Sequence, residues 1–444
     1  MTAGTKEEPS AATRAERPQA SGLAEQLAAL PPAVRDRIAT QRGGTTRLLS
    51  WAKELGTDRD QRDRLRSVSP PDKEDMRDPS LLSAEERARL TALGEAALRR
   101  GEVALLVLAG GMATRMGSVV KALVEAVPGQ RFLDLRLGEQ RSLSARYDRP
   151  FPLWLMTSDA TDAPIREALR EVAPKGIDGV SVFGQCVSLR LTPEGDLFQA
   201  PGGGVSVYPT GHGDVPEALA QSGLLAAFRA RGGKIVWIAN LDNLGATVDP
   251  LLVGVHLAHG RPLSCEVVEK AGDRGGIPVE YGDRCVICED FRLPRDFDAS
   301  RVNVFNTNTF LASADALAAY DHPFTYVEVE KTVDGRKAIQ RERLLGEITF
   351  YLDTVYIRVP RVGEASRFLP VKSPEELLAR RDEIARVVRQ RGMHGSLPRP
   401  LCGPLVGARL AAAGDARHAR GRGPGDRASG SEPARPRPQP HGNE

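Results

Sequence analysis

The stretch LAGGMATRMGSVVKALVEA, residues 108–126, brings two adjacent glycines, a threonine, Arg115 and Lys121 together behind an apolar run. Glycines that follow a strand let backbone N–H groups approach an anion closely, and the arginine and lysine add positive charge. These residue types suit a phosphate, and on their own they suit a plain turn equally. Two familiar phosphate loops do not fit. Five residues separate Gly111 from Gly117, and Ser118 stands where the triphosphatase loop places its lysine. The adjacent Gly110 and Gly111 break the GxGxxG spacing of the dinucleotide fingerprint.

Four further stretches carry residues with chemical potential. YPTGHGD, residues 208–214, sets two glycines around His212, which alone reads more readily as a turn residue than as a catalyst. IANLDNLGATVD, residues 238–249, passes abruptly from an apolar run to Asn240, Asp242 and Asn243. A carboxylate and amides at a strand end suit a metal ion and sugar hydroxyls, and a bland strand-to-turn transition as well. FNTNTF, residues 305–310, repeats the pattern with Asn306 and Asn308 on one strand face. RFLPVKSPEEL places Lys372 immediately before a capped helix, whose positive end gathers anions.

Composition narrows the classes. The formal charge of +3 over 444 residues resides in the last 47, where eight arginines face four acids, so the body before Pro398 is nearly neutral. A duplex binder shows a clustered basic face, and none is present in the body, so no specific nucleic-acid partner is expected. The longest notable apolar run, residues 103–112, is far below the roughly 18 residues of a membrane span. The polar first residues are unlike a secretory signal, which reads as a cytoplasmic protein. Five scattered cysteines, at 186, 265, 285, 288 and 402, argue against a disulfide framework. The pair CVIC, Cys285 to Cys288, lacks a second pair to complete four zinc ligands, and in a strand its thiols point to opposite faces.

The elements that must hold these residues follow from periodicity. Residues 1–20 read as disordered and 21–100 as a helical N-terminal segment, with a capping box at Ser83 and Glu86. From 101 to 395, strand-length apolar runs (VALLVLA, FPLWLMTS, KIVWIAN, RPLSCEVVE) alternate with helical spacing such as PEALAQSGLLAAFRARG. That alternation predicts an α/β domain with a mixed, mostly parallel sheet covered on both faces, and ligands beyond the carboxyl ends of its strands. Ser373, Pro374 and Glu376 mark another helix start. The tail, 396–444, is rich in proline, glycine and arginine and reads as disordered.

In this order, LAGGMATRMG with Lys121, YPTGHGD, NLDNLGATVD, CEVVEK followed by Gly275 and Gly276, FNTNTF and RFLPVK resemble the UDP-sugar pyrophosphorylase family. The match is nearest to its uridylyltransferases of glucose 1-phosphate. The resemblance implies a Rossmann-like nucleotidyltransferase core that joins UTP and a sugar 1-phosphate, giving UDP-sugar and pyrophosphate with Mg²⁺. It places Leu108, Ala109, Gly110 and Gly111 along the nucleotide, Arg115 and Lys121 at the triphosphate, and Lys372 as a third catalytic cation. Gln185 would read uracil, Gly211 and His212 would border the base and ribose, and Asp242 would hold Mg²⁺ or the nucleotide phosphates. Asn240, Glu266, Gly276 and Asn306 fall where the family holds the sugar. A UDP-N-acetylhexosamine pyrophosphorylase shares the loop and the reaction, and a catalytically silent nucleotide-sugar binder would share the fold. The chain departs from the family at Ala113, which replaces the last loop glycine, at SVVKAL, the lead-in to Lys121, and in showing no C-terminal β-helical domain.

Overall fold

The computed structural model describes residues 20–58, 62–113, 116–117, 119–273 and 275–394. Arg115, the residues before Ala20 and the tail 396–444 lie outside these described residues. Eight strands form the central sheet: β1 (Met76–Arg77), β2 (Val103–Leu108), β3 (Leu153–Thr157), β4 (Val180–Gly184), β5 (Ile235–Asn240), β6 (Leu263–Glu269), β7 (Val304–Ser313) and β8 (Thr354–Arg358). Their order across the sheet is β1-β8-β6-β7-β5-β2-β3-β4. Only β7 runs antiparallel to its neighbours, so the sheet is mixed and mostly parallel as the alternation predicts.

The strands read as continuous apolar runs because helices cover both faces of the sheet, and Val103–Val107 and Ile235–Ala239 are buried throughout. Register sets one edge: Asn240 lies opposite Leu108, Leu108 opposite Met156, and Thr157 opposite Gly184. Since β7 enters the sheet in the reverse sense, its first half, with Asn306 and Asn308, reaches that same edge.

Helix starts follow the caps. Ser83 Oγ accepts the Glu86 N–H at 3.1 Å and opens the helix Ala84–Arg100. That helix crosses Pro250–His259 where two glycines face each other. A Cβ on Gly94 would lie 1.8 Å from Pro250 O, and one on Gly254 1.8 Å from Leu90 O. Neither position tolerates a side chain. The run PEALAQSGLLAAFRARG forms two helices, Val215–Gln221 and Leu224–Ala230, because Gly223 between them takes φ +74°.

Residues 21–100 do more than lead in. Three helices, Ala20–Ala28, Pro32–Ala39 and Gly44–Glu54, bury Leu23, Leu27, Ile38, Leu48 and Trp51 against Val187, Leu189 and Ile339. Further on, Met76–Arg77 pairs with β8 as the sheet's outer strand. Cys285 and Cys288 are free, buried thiols in the strand Arg284–Cys288.

Between the helix Pro250–His259 and β6, His259 Nδ1 accepts the Arg261 N–H at 2.9 Å, so its proton sits on Nε2 and is donated to Ser264 Oγ at 2.7 Å. The serine hydroxyl then donates to His256 Nδ1 at 2.8 Å. Both rings are neutral in the fold, burial pushing His256 down to about 3 and His259 to about 4. A histidine with a depressed folded pKa contributes fully above its ordinary value of about 6.5, and that contribution is lost as pH falls below it, by about 1.4 kcal/mol per pH unit for one fully buried ring. Chemical denaturation from pH 7 to 4.5 is therefore expected to show falling stability, with a shallower slope in His256→Asn. An equal slope in the variant would remove the relay as its cause.

Candidate active site

The glycine loop leaves β2 at Leu108 and is held by its neighbours. Ala109 N–H donates to Met156 O at 2.8 Å, and Ser158 Oγ donates to Gly110 O at 2.9 Å. Gln185, anchored through its N–H to Thr157 O, brings Oε1 to 2.5 Å from where a Cβ on Gly110 would stand. Glycine at 110 thus admits the Gln185 amide against the loop backbone. At Gly111 a Cβ would meet nothing within 4 Å, so this side of the loop faces open space.

Met112–Ala113 pairs with Val119–Val120, and Lys121 N–H returns to Gly111 O at 3.3 Å. Ala113 is absent from the positive-φ residues and is buried. The loop therefore accommodates a Cβ here without backbone strain.

This return brings Lys121 onto the end of β5. Its ammonium is ion-paired with Asp242 Oδ2, both side chains being mostly buried at 19% and 14% exposure. Beside them Asn240 Oδ1 accepts from Asn308 Nδ2 at 2.9 Å. Asn306 and Asn308 do not simply share a strand face. Asn308 takes φ +60°, its N–H donates to Asn306 Oδ1 at 2.7 Å, and the β6–β7 register shifts at Glu266/Val267. This bulge aims the Asn308 amide at Asn240.

Other sequence-selected residues are engaged in the frame of the site. Glu266 is fully buried, with Oε2 accepting Arg367 Nε at 3.0 Å and Oε1 accepting Nη2 at 2.8 Å. Burial pushes its carboxyl up and Arg367 opposes that shift. Both oxygens are thus bonded within the protein. Gly276 O accepts the Asn306 N–H at 2.9 Å, and a Cβ on Gly276 would collide with Ile287 and Glu289. Lys372 is exposed, its N–H donating to Glu376 Oε2 at 2.6 Å. Ser373 Oγ caps the following helix through Glu376 N–H.

The turn around His212 is built on Arg343. Gly211 takes φ +105° and a Cβ there would sit 2.5 Å from Arg343 O, while one on Gly213 would sit 2.7 Å from Arg343 Cβ. The Arg343 guanidinium pairs with buried Asp214 and Glu217, each at 2.6 Å. His212 Nδ1 accepts the Leu345 N–H at 2.9 Å, and burial pushes the imidazole down to about 4, which leaves a neutral ring with its proton on Nε2. Gly211→Ala is expected to cost about 2–4 kcal/mol of stability, since it combines a disfavoured φ with a backbone clash. Urea unfolding measures it, and a cost below about 0.5 kcal/mol would contradict the packing described.

Five of the sequence-selected stretches thus meet at one sheet edge or in the loops that frame it. The family model described as UTP–glucose-1-phosphate uridylyltransferase matches residues 51–396. The chain belongs to this UTP–glucose-1-phosphate uridylyltransferase family. A family relative of the same name from Musa acuminata is 34% identical over 310 residues, covering 65% of this chain and 64% of its own. The chain therefore spans less than two thirds of that uridylyltransferase's length. Among solved structures, UDP-glucose phosphorylase from Trypanosoma brucei superposes with a TM-score of 0.64 at 23% identity, covering 82% of this chain and 78% of its own. The uridine diphosphate N-acetylglucosamine pyrophosphorylase of the same organism gives 0.59 at 21%, covering 81% and 84%. The uridylyltransferase fold is common to both, so fold alone does not choose the sugar.

Several residues that build this sheet edge and its loops have no strong sequence signal. Ser158 and Gln41 act on backbone, the latter accepting the Val187 N–H at 3.2 Å two residues beyond Gln185. Arg367 opens RFLPVK, and nothing in that run marks its bonds to Glu266 and Thr247. Glu289, beside CVIC, is pushed up to about 7 by burial and by Glu347.

Proposed function

We propose that the chain transfers UMP from UTP to a sugar 1-phosphate, glucose 1-phosphate being its substrate, and releases pyrophosphate. The observation that carries this is the Lys121–Asp242 pair beside the open side of Gly111, in a chain whose curated relatives are uridylyltransferases of that sugar phosphate. A phosphate oxygen of the sugar attacks the α-phosphorus of UTP in line, and the bond to the β-phosphate breaks. The attacking phosphate is ionised at neutral pH, so no general base is required, and the protein's task is to position two polyanions and screen their repulsion.

Each residue has a part in that task. Leu108 to Gly111 run along the nucleotide, Gln185 faces the uracil, and Gly211 with neutral His212 borders the base and ribose. Lys121, Lys372 and Arg115 supply positive charge to the phosphates. Asn240 and Asn306, with Gly276 between the strands, hold sugar hydroxyls; Glu266 contributes to that pocket through Arg367 rather than by direct contact. Asp242 bonds Lys121 through Oδ2, and its hard carboxylate oxygens are donors of the kind Mg²⁺ selects. Held there, Mg²⁺ would neutralise phosphate charge.

Pyrophosphate release from UTP and Mg²⁺ with glucose 1-phosphate, run beside N-acetylglucosamine 1-phosphate, tests the reading. Release with the first sugar phosphate at least about tenfold faster is expected, a discrimination worth about 1.4 kcal/mol. Preference for the N-acetylated sugar would overturn the choice of substrate, and UTP binding without release would overturn the activity.

A further inference from the structure

The backbone of the loop that carries Asp242 is held by three arginines from three separate segments. Arg136, fully buried on the helix Phe132–Tyr147, donates through Nη2 to Asn240 O at 2.9 Å and Asn243 O at 2.7 Å. It also reaches Leu241 O and Ala246 O at 3.4 Å. Arg367 donates to Thr247 O at 2.8 Å. Arg391, just past the helix Pro374–Gln390, donates to Gly245 O and to Thr247 Oγ1 at 3.0 Å. A loop whose carbonyls turn toward cations has few other places to satisfy them, and charge-assisted bonds are stronger than neutral ones.

Arg391 differs from the other two. Its Nη2 donates to Ser366 O at 2.5 Å, so one guanidinium ties the Asp242 loop to the segment that ends in Lys372. The same two segments also touch directly: Arg367 reaches Thr247 O as above, Leu369 N–H donates to Asn243 Oδ1 at 2.7 Å, and a Cβ on Gly245 would sit 2.6 Å from the Arg367 carbonyl carbon. Arg136 and Arg367 are paired with Glu139 and Glu266. Arg391 forms no carboxylate ion pair among the described residues, and its charge is spent on backbone carbonyls. It also lines a cavity of about 620 Å³ together with exposed Arg389, Gln390 and Gly392, which gives a small cation access to its position.

We propose that Arg391 is a positioning residue that fixes Asp242 and Lys372 relative to each other, by clamping the two loops that carry them from outside the substrate site. The proposal rests on the uridylyltransferase reading for its catalytic consequence and on geometry alone for the clamp. Arg391→Ala is expected to lower kcat for UTP and glucose 1-phosphate by about tenfold, while KM for UTP changes by less than about threefold, because the substrate contacts remain and their mutual alignment is lost. Millimolar guanidinium, entering the cavity, restores several-fold of the lost kcat at concentrations that leave the wild type unaffected. Arg391→Lys regains part of it, and Arg389→Ala, which lines the cavity but bonds neither loop, retains wild-type turnover.

Hydrogen exchange reads the clamp independently of turnover. In Arg391→Ala the amides of residues 241–247 and 366–371 exchange at least about tenfold faster, while those of β2 and β5 are unchanged. If the wild type turns over no UTP, this arm still decides the clamp, and the failure then belongs to the functional reading. Unchanged exchange in both segments, uniformly faster exchange throughout the chain, or full activity in Arg391→Ala would overturn the proposal.

Discussion

Replacing Lys372 with alanine is expected to lower turnover by about 10²–10³-fold and to leave the unfolding midpoint within about 2 °C of the wild type. The two halves of this prediction have separate physical grounds. Lys372 is exposed, and its ammonium forms no ion pair among the described residues, so truncation removes little packing. The bond it does make, from its N–H to Glu376, belongs to the backbone and survives in alanine. What is lost is a positive charge held three residues beyond Leu369, whose N–H docks on Asn243 of the Asp242 loop. Steady-state kinetics beside thermal unfolding give both numbers. A loss below about threefold would remove Lys372 from the site.

The second large effect concerns the Lys121–Asp242 pair. Asp242→Asn and Lys121→Met are each expected to lower kcat/KM by at least about 10²-fold, and the double variant by much less than the product of the two losses. Both side chains are mostly buried, so either single change leaves the partner's charge uncompensated at the loop, a penalty that the double variant lacks. A coupling of about 1–3 kcal/mol in the four-enzyme cycle is the expected outcome. Strictly multiplicative losses would show that the pair does not act as a unit.

Much of this arrangement was legible because it is local. Continuous apolar runs announced β2, β3, β5 and β6, and the caps at Ser83 and Ser373 marked their helices. The glycine loop and the GHGD turn stood out by residue type. What stayed hidden is non-local. The reversal of β7 within the sheet depends on which strands pair, and periodicity carries no direction. The turn at Asn308 is a bulge forced by register against Glu266, not a property of FNTNTF. Gly211 and Gly213 read as turn glycines in sequence, whereas their need for glycine comes from Arg343, more than a hundred residues away.

The partners of charged residues are non-local for the same reason. Glu266 stands in a stretch that resembles a sugar site, and its pairing with Arg367, a hundred and one residues on, is not visible there. Arg136 sits within a helix and Arg391 just past one, as ordinary surface cations would, and their role becomes visible only when the loop carbonyls they bond are placed beside them. The N-terminal helices read as a lead-in, but Arg42 N–H donates to Glu217, the partner of Arg343, and so joins them to the His212 turn.

The proposed activity stands or falls on a sugar phosphate oxygen attacking the α-phosphorus of UTP. Glucose 1-phosphate labelled with ¹⁸O in its phosphate group, incubated with UTP, Mg²⁺ and the purified chain, tests it directly by mass spectrometry of the products. All of the label is expected in UDP-glucose and none in pyrophosphate. Label in pyrophosphate or orthophosphate, or UTP bound with no UDP-glucose formed, would contradict it.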